Sequence, residues 1–200
     1  MLESFRIFPL GGRYMNRDRN LFSRDEMLEM NIAILNKRGV ELDEIAKIAH
    51  AQQSKWNDSI SYQDCMDSVE KILSLRDVFH IVQLGAEIDR LTEEGLFQGP
   101  IQQILATDLG MFGIDELFGL DLAGMYGTIG RTNFGDIDVN KPGIVAKLNS
   151  DGKEGKPACH TFLDDIVGAI AAAASTRVAQ MENELEARRD PTIVEEPKLF

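Results

Sequence analysis

The chain has 200 residues, enough for one domain with a sizeable buried core. Its 44% hydrophobic and 27% charged residues give a globular rather than a disordered composition. The formal net charge of -12 argues against nucleic-acid binding, which draws its affinity from neutralising phosphates, whereas an acidic surface suits cations.

Residues 1–23 read as an irregular segment. Pro9, Gly11 and Gly12 break helical phase, and Arg6, Arg13, Arg17 and Arg19 lie among Phe5, Ile7 and Phe8. That mixture suits a loose leader, or a peripheral contact with an anionic membrane face. It lacks the apolar stretch of a secretory signal. SRDE at 23–26 is a capping-box pattern, followed at helical spacing by Met27, Met30, Ile34 and Leu35 and closed by Gly39. A second helix runs through ELDEIAKIAHAQQ with Leu42, Ile45, Ala46 and Ala49 on one face. Ser61 caps a third, which carries Val69, Ile72 and Leu73. A fourth places Val78, Ile81, Val82, Ile88 and Leu91 before Gly95, and Gly99-Pro100 opens a short fifth.

Residues 113–126 predict a helix rich in small side chains. The glycine-rich GTIGRTNFGDIDVNKPG that follows reads as a loop. Pro142 starts a short helix through Leu148, and SDGKEGKP reads as a surface turn. The longest helix begins at Thr161 and ends near Arg189, before Asp190-Pro191 and a tail over 190–200. It holds the longest apolar run, IVGAIAAAA at 166–174, far short of the ~20 residues a membrane-spanning helix needs. No strand alternation or internal repeat is present. The expected fold is all-α, a compact multi-helix bundle over 24–189 around a central Ala-rich helix.

The two cysteines, Cys65 and Cys159, have no paired Cys/His spacing, so zinc is not expected, and free thiols fit the cytoplasm. Cys159 next to His160 does not make a nucleophile pair, since adjacent residues rarely achieve the geometry. DIDVN at 136–140 is similar to the D-x-D-x-[TV] motif of haloacid-dehalogenase-like phosphatases. That motif ends an apolar strand, however, and GRTNFG precedes it here.

The polar residues out of keeping with their surroundings are carboxylates beside apolar helix faces: Asp108, the pair Asp115-Glu116, and the pair Asp164-Asp165. Each pair has a purely structural reading. TFLD at 161–164 is a capping-box pattern, and Asp115 and Glu116 suit the positive end of a helix dipole. Two such pairs entering apolar helices also suit a divalent cation, because buried like charges repel unless something positive joins them. Carboxylate oxygens favour Mg²⁺, with Mn²⁺ as the alternative ion. Arg131, Lys141 and His160 flank the glycine-rich segment and the second pair, where cationic groups can hold phosphate.

Three segments in order resemble the phosphatidylglycerophosphatase A family, in particular its soluble bacterial branch of low-temperature-requirement C-like proteins. These are DLGMFGIDELFG at 108–119, DVNKPGI at 138–144 and HTFLDDIVGAIAAA at 160–173. They are similar to the family's D-x-G-x4-D-E, D-x-x-K-P and D-D-[IV]-x-[AG] segments. Gly135 stands where the membrane-embedded branch carries an arginine, with Arg131 four residues earlier, and that branch's P-G-T-x-G-S segment is absent.

The resemblance implies Mg²⁺-dependent hydrolysis of phosphatidylglycerophosphate to phosphatidylglycerol and phosphate. It implies metal ligation by Asp108, Asp115, Glu116, Asp164 and Asp165, and phosphate stabilisation by Lys141. By the same resemblance Asp138 would join the metal ligands or orient the nucleophile. In the expected mechanism Asp138, Lys141 and Asp165 are catalytic, with Asp138 as general base, and attack by a carboxylate through an acyl-phosphate stays open; Arg131, Lys141 and His160 would bind substrate. The site is expected where the N-terminus of the last helix meets helix 113–126, with that helix end attracting phosphate. Two other readings stay open. One is an all-α Mg²⁺ phosphohydrolase acting on a soluble substrate such as a nucleotide. The other is a non-catalytic interaction or regulatory module.

Overall fold

The computed structural model describes residues 21–110, 112–151 and 158–189. Among them are nine helices and no strand: α1 (Arg24–Lys37), α2 (Leu42–Gln53), α3 (Tyr62–Leu73), α4 (Arg76–Glu93), α5 (Pro100–Ala106), α6 (Ile114–Gly124), α7 (Gly127–Asn140), α8 (Ile144–Asp151) and α9 (Leu163–Arg189). The all-α expectation holds. The irregular reading of residues 1–20, most of the turn at 150–157, and the tail at 190–200 lie outside the described residues.

Local signals set the early boundaries. Ser23 and Glu26 cap α1 reciprocally, at 2.8 and 3.2 Å, and Ser61 and Asp64 do the same for α3. At the end of α1, Gly39 takes φ +80°, and the Val40 amide returns to the Leu35 carbonyl at 3.0 Å. Only glycine adopts that turn without a side-chain penalty.

α9 is the axis of the bundle. Its residues from Leu163 through Thr176 are buried, and α2, α3, α4, α6, α7 and α8 all pack against it. Ala169 and Ala171 through Ala174 are fully covered. Their single methyl groups let neighbouring helices approach closely, while Leu163, Ile166 and Ile170 supply the bulk. Each large side chain buried in this way contributes about 1.5–3 kcal/mol. One continuous core joins residues of all nine helices. No helix among the described residues is long and apolar enough to cross a membrane.

The segment expected as a glycine-rich loop is helix α7. Gly130, Phe134 and Ile137 recur at helical spacing and are all buried. The glycines therefore serve packing rather than a loop. A Cβ on Gly130 would stand 2.1 Å from the Ala123 carbonyl oxygen, so α6 and α7 touch backbone to backbone there. The Phe134 ring fills the space left by Gly119 of α6, where a Cβ would stand 2.3 Å from Cζ.

Candidate functional site

Three helix ends meet around one cleft. The first turn of α6 brings Asp115 and Glu116 after Gly113, which takes φ +75° at the N-cap. The last turn of α7 brings Asp138, and its C-cap is Lys141 with φ +42°. The first turn of α9 brings Asp164 and Asp165. The link from α5 to α6 adds Asp108, Leu109 and Gly110, and α8 adds Asn149. The cleft holds about 230 Å³, and among the described residues Leu109 is its one large apolar lining residue.

Lys141 is the cation in this lining. Its Nζ donates to Asp138 Oδ1 at 2.6 Å, Asp164 Oδ2 at 3.1 Å and Asp165 Oδ1 at 3.4 Å. Burial works against its charge, but Asp164, Asp138 and Asp165 more than compensate and hold its pKa above the ordinary lysine range. A non-glycine residue in the left-handed region costs about 1–2 kcal/mol, and this conformation coincides with the three carboxylate contacts. Pro142 also disfavours ordinary helical geometry for the residue before it.

Asp115, Glu116 and Asp165 form a second grouping, of which Lys141 contacts Asp165. One oxygen from each lies within 4.8 Å of the other two. Asp115 Oδ1 and Glu116 Oε2 are buried with no hydrogen-bond partner among the described residues. A buried acceptor without a partner costs about 1–3 kcal/mol, and the chemistry of these oxygens fits a divalent cation. Adjacent oxygens around Mg²⁺ at ~2.0–2.1 Å stand ~3 Å apart, and opposite ones ~4.2 Å, so small side-chain movements close the set.

Burial dominates the acid strengths of the cleft carboxyls. Burial, then the Asp164 charge, pushes Asp165 up to about 9. Burial, then Glu116, raises Asp115 to about 7. Burial raises Asp164 to about 6 against the pull of Lys141. Burial and mutual repulsion thus favour the protonated forms of these carboxyls, and a bound cation would oppose that by favouring the ionised forms.

Asp108, Asp115, Glu116, Asp138, Lys141, Asp164 and Asp165 all line the cleft. Two expected substrate-binding residues do not. Arg131 lines a separate surface hollow with Leu117, Leu120 and Asp121, its guanidinium against Gly124. Placing residues 127–140 in a helix carries it to that outer side. His160 is buried, its Nδ1 3.3 Å from Arg38 Nη2. Burial, then the Arg38 charge, lowers its pKa to about 4, so it is neutral.

The start of α9 is built differently from the TFLD pattern. The Thr161 hydroxyl donates to the Leu105 carbonyl at 2.7 Å. The Phe162 and Leu163 amides donate instead to Asp89 Oδ1 and Oδ2 of α4, at 3.1 and 3.0 Å. Those two amides are therefore already bonded within the protein. Burial raises the Asp89 carboxyl, opposed by the Phe162 amide, Arg38 and the Leu163 amide.

Sequence reasoning missed Asp89. Its signal is a lone carboxylate in phase with Val78, Val82 and Ala86 on the buried stripe of α4. Asn149 was also missed, and nothing in its sequence surroundings marks it.

Fold and cleft together define an all-α protein with a carboxylate-and-lysine centre at the junction of three helix ends. The chain matches Phosphatidylglycerophosphatase A over residues 45–180 and belongs to that family. It is 41% identical over 165 residues to Bacillus subtilis YpjQ, covering 82% of this chain and 91% of that protein. It is 40% identical to YutG of the same organism over 154 residues, covering 77% and 91%. The crystal structure of the low temperature requirement C protein from Listeria monocytogenes superposes with a TM-score of 0.74 at 42% identity. That match covers 78% of this chain and 97% of that one.

Proposed function

We propose that this protein is a Mg²⁺-dependent phosphomonoester hydrolase acting on phosphatidylglycerophosphate, releasing phosphatidylglycerol and phosphate. Family membership supports the reaction class. The observation that carries the chemistry is the clustering of Asp115, Glu116 and Asp165 beside a lysine, with a buried oxygen on each of Asp115 and Glu116 that has no partner among the described residues.

Asp115, Glu116 and Asp165 would hold the ion, with Asp108 and Asp164 close by in the same lining. When bound, Mg²⁺ supplies Lewis-acid polarisation and lowers the pKa of a coordinated water. Lys141 meets charge that grows on the phosphoryl oxygens in the transition state. Asp138 is held by Lys141 at 2.6 Å and accepts the proton of the attacking water. As the new P–O bond forms and the ester P–O bond breaks, that proton is available to the departing glycerol oxygen. The products are the lipid alcohol and inorganic phosphate.

A second reading, a soluble phosphate ester such as a nucleotide, is favoured by the polar lining, which among the described residues offers acyl chains little beyond Leu109. Phosphate release from phosphatidylglycerophosphate in mixed micelles, with Mg²⁺ and with chelator, separates the two. Metal-dependent release supports the lipid reading. Release only from a panel of nucleotides and sugar phosphates supports the soluble one. A folded, Mg²⁺-binding protein that turns over neither class would leave a regulatory or interaction role.

A further inference from the structure

The backbone that leads into the first turn of α9 is held by residues outside the cleft lining. Glu93 Oε1 accepts the Cys159 amide at 2.7 Å, and Arg38, paired with Glu93, donates to the Cys159 carbonyl. Thr161 is tied to Leu105. Asp89, with 0% exposure, accepts the Phe162 and Leu163 amides, one on each carboxylate oxygen. The two residues that follow are Asp164 and Asp165.

We infer that Asp89 is a positioning residue of the carboxylate site, fixing the first turn of α9 so that Asp164 and Asp165 stand where the cleft needs them. The inference rests on the metal-binding reading above. A carboxylate in the core is costly unless its oxygens are satisfied, and here both are occupied by amides that begin one helix. The local cap that TFLD offers is not used, because Thr161 points to another element. Without Asp89 the first turn has no side-chain acceptor for these two amides. If the helix start slips by one residue, each following side chain rotates ~100° and moves ~1.5 Å along the axis. Metal ligation tolerates about 0.2 Å. Asp89→Asn keeps the size, but its NH₂ meets one of the amides donor to donor.

The test is a Mn²⁺ titration of the full chain, followed by the electron paramagnetic resonance signal of the free ion. Wild type, Asp89→Asn and Val82→Ala are compared. Val82 is a buried residue of the same helix. Its truncation lowers thermal stability without touching the α9 amides. Asp89→Asn is expected to weaken Mn²⁺ binding by about tenfold or more, the range seen when residues supporting metal ligands are removed. Val82→Ala should leave affinity unchanged. Unchanged affinity in Asp89→Asn, or equal losses in both variants, overturns the inference while leaving the metal reading intact. Wild type that fails to bind Mn²⁺ removes the metal reading and the inference with it. Should Asp89→Asn not fold, amide hydrogen exchange on wild type decides. Strong protection of the Phe162 and Leu163 amides is expected, and open-chain exchange rates there overturn the inference.

Discussion

The protons trapped on the cleft carboxylates make metal-free stability fall with rising pH. Asp165 has an ordinary value of 3.8 and is pushed up to about 9 in the folded protein. The stability linked to its protonated form is complete below the unfolded value and is lost as pH rises through the folded one. One carboxyl protonated in the native state and ionised in the unfolded state gives a slope of up to about 1.4 kcal/mol per pH unit. Between about pH 6.5 and about pH 8.5 that amounts to roughly 2–3 kcal/mol. In a chain of this size it lowers Tm by about 5–10 °C. The window lies above the His160 transition, since that imidazole is held down at about 4 and its contribution is lost only as pH falls from 6.5 toward 4.

The assay is thermal unfolding across this window, with chelator and with saturating Mg²⁺. Mg²⁺ binds the ionised form and should remove most of the slope. The buried Asp89, away from the cleft, leaves a remainder. Asp165→Asn should remove the Asp165 share of the slope in chelator, leaving the shares of Asp115 and Asp89. A chelator curve that is level or rising, or a falling one that Asp165→Asn preserves, refutes the reasoning.

Three further outcomes are expected. Asp165→Asn should lower phosphate release by at least about 100-fold, while its helical circular dichroism matches wild type; retained turnover removes this residue from the site. Lys141→Met strips the cation from three carboxylates, two of them buried. Denaturant unfolding in chelator should show a loss of about 2–4 kcal/mol, below the full value for a broken buried pair because Lys141 is partly exposed. Mg²⁺ should recover part of it, and no loss in chelator contradicts the role given to Lys141. Gly130→Ala places a Cβ against the Ala123 carbonyl, a backbone atom that cannot swing away. It should cost about 1–3 kcal/mol or more, read from Tm, and an unchanged Tm means that α6 and α7 are not in that contact.

Much of the fold was legible in the sequence because its signals are local. The reciprocal caps at Ser23 and Ser61, the turn at Gly39 and the alanine run of α9 act within one or two helical turns, so residue spacing alone reveals them. The same holds for the acidic pairs. Asp115-Glu116 and Asp164-Asp165 stand out as charges entering apolar helices, and their motif order marked the family. The glycines of α7 misled, since glycine spacing does not distinguish a loop from a helix packed backbone to backbone. Only the tertiary structure decided that Gly130 faces Ala123 and Gly119 faces Phe134. It alone placed Arg131 and His160 outside the cleft, left the Asp115 and Glu116 oxygens unpartnered, and gave the cap of α9 to Asp89 rather than Thr161. These outcomes depend on which helix ends meet, and residues as far apart as 89 and 162 come into contact only after the chain has packed around α9.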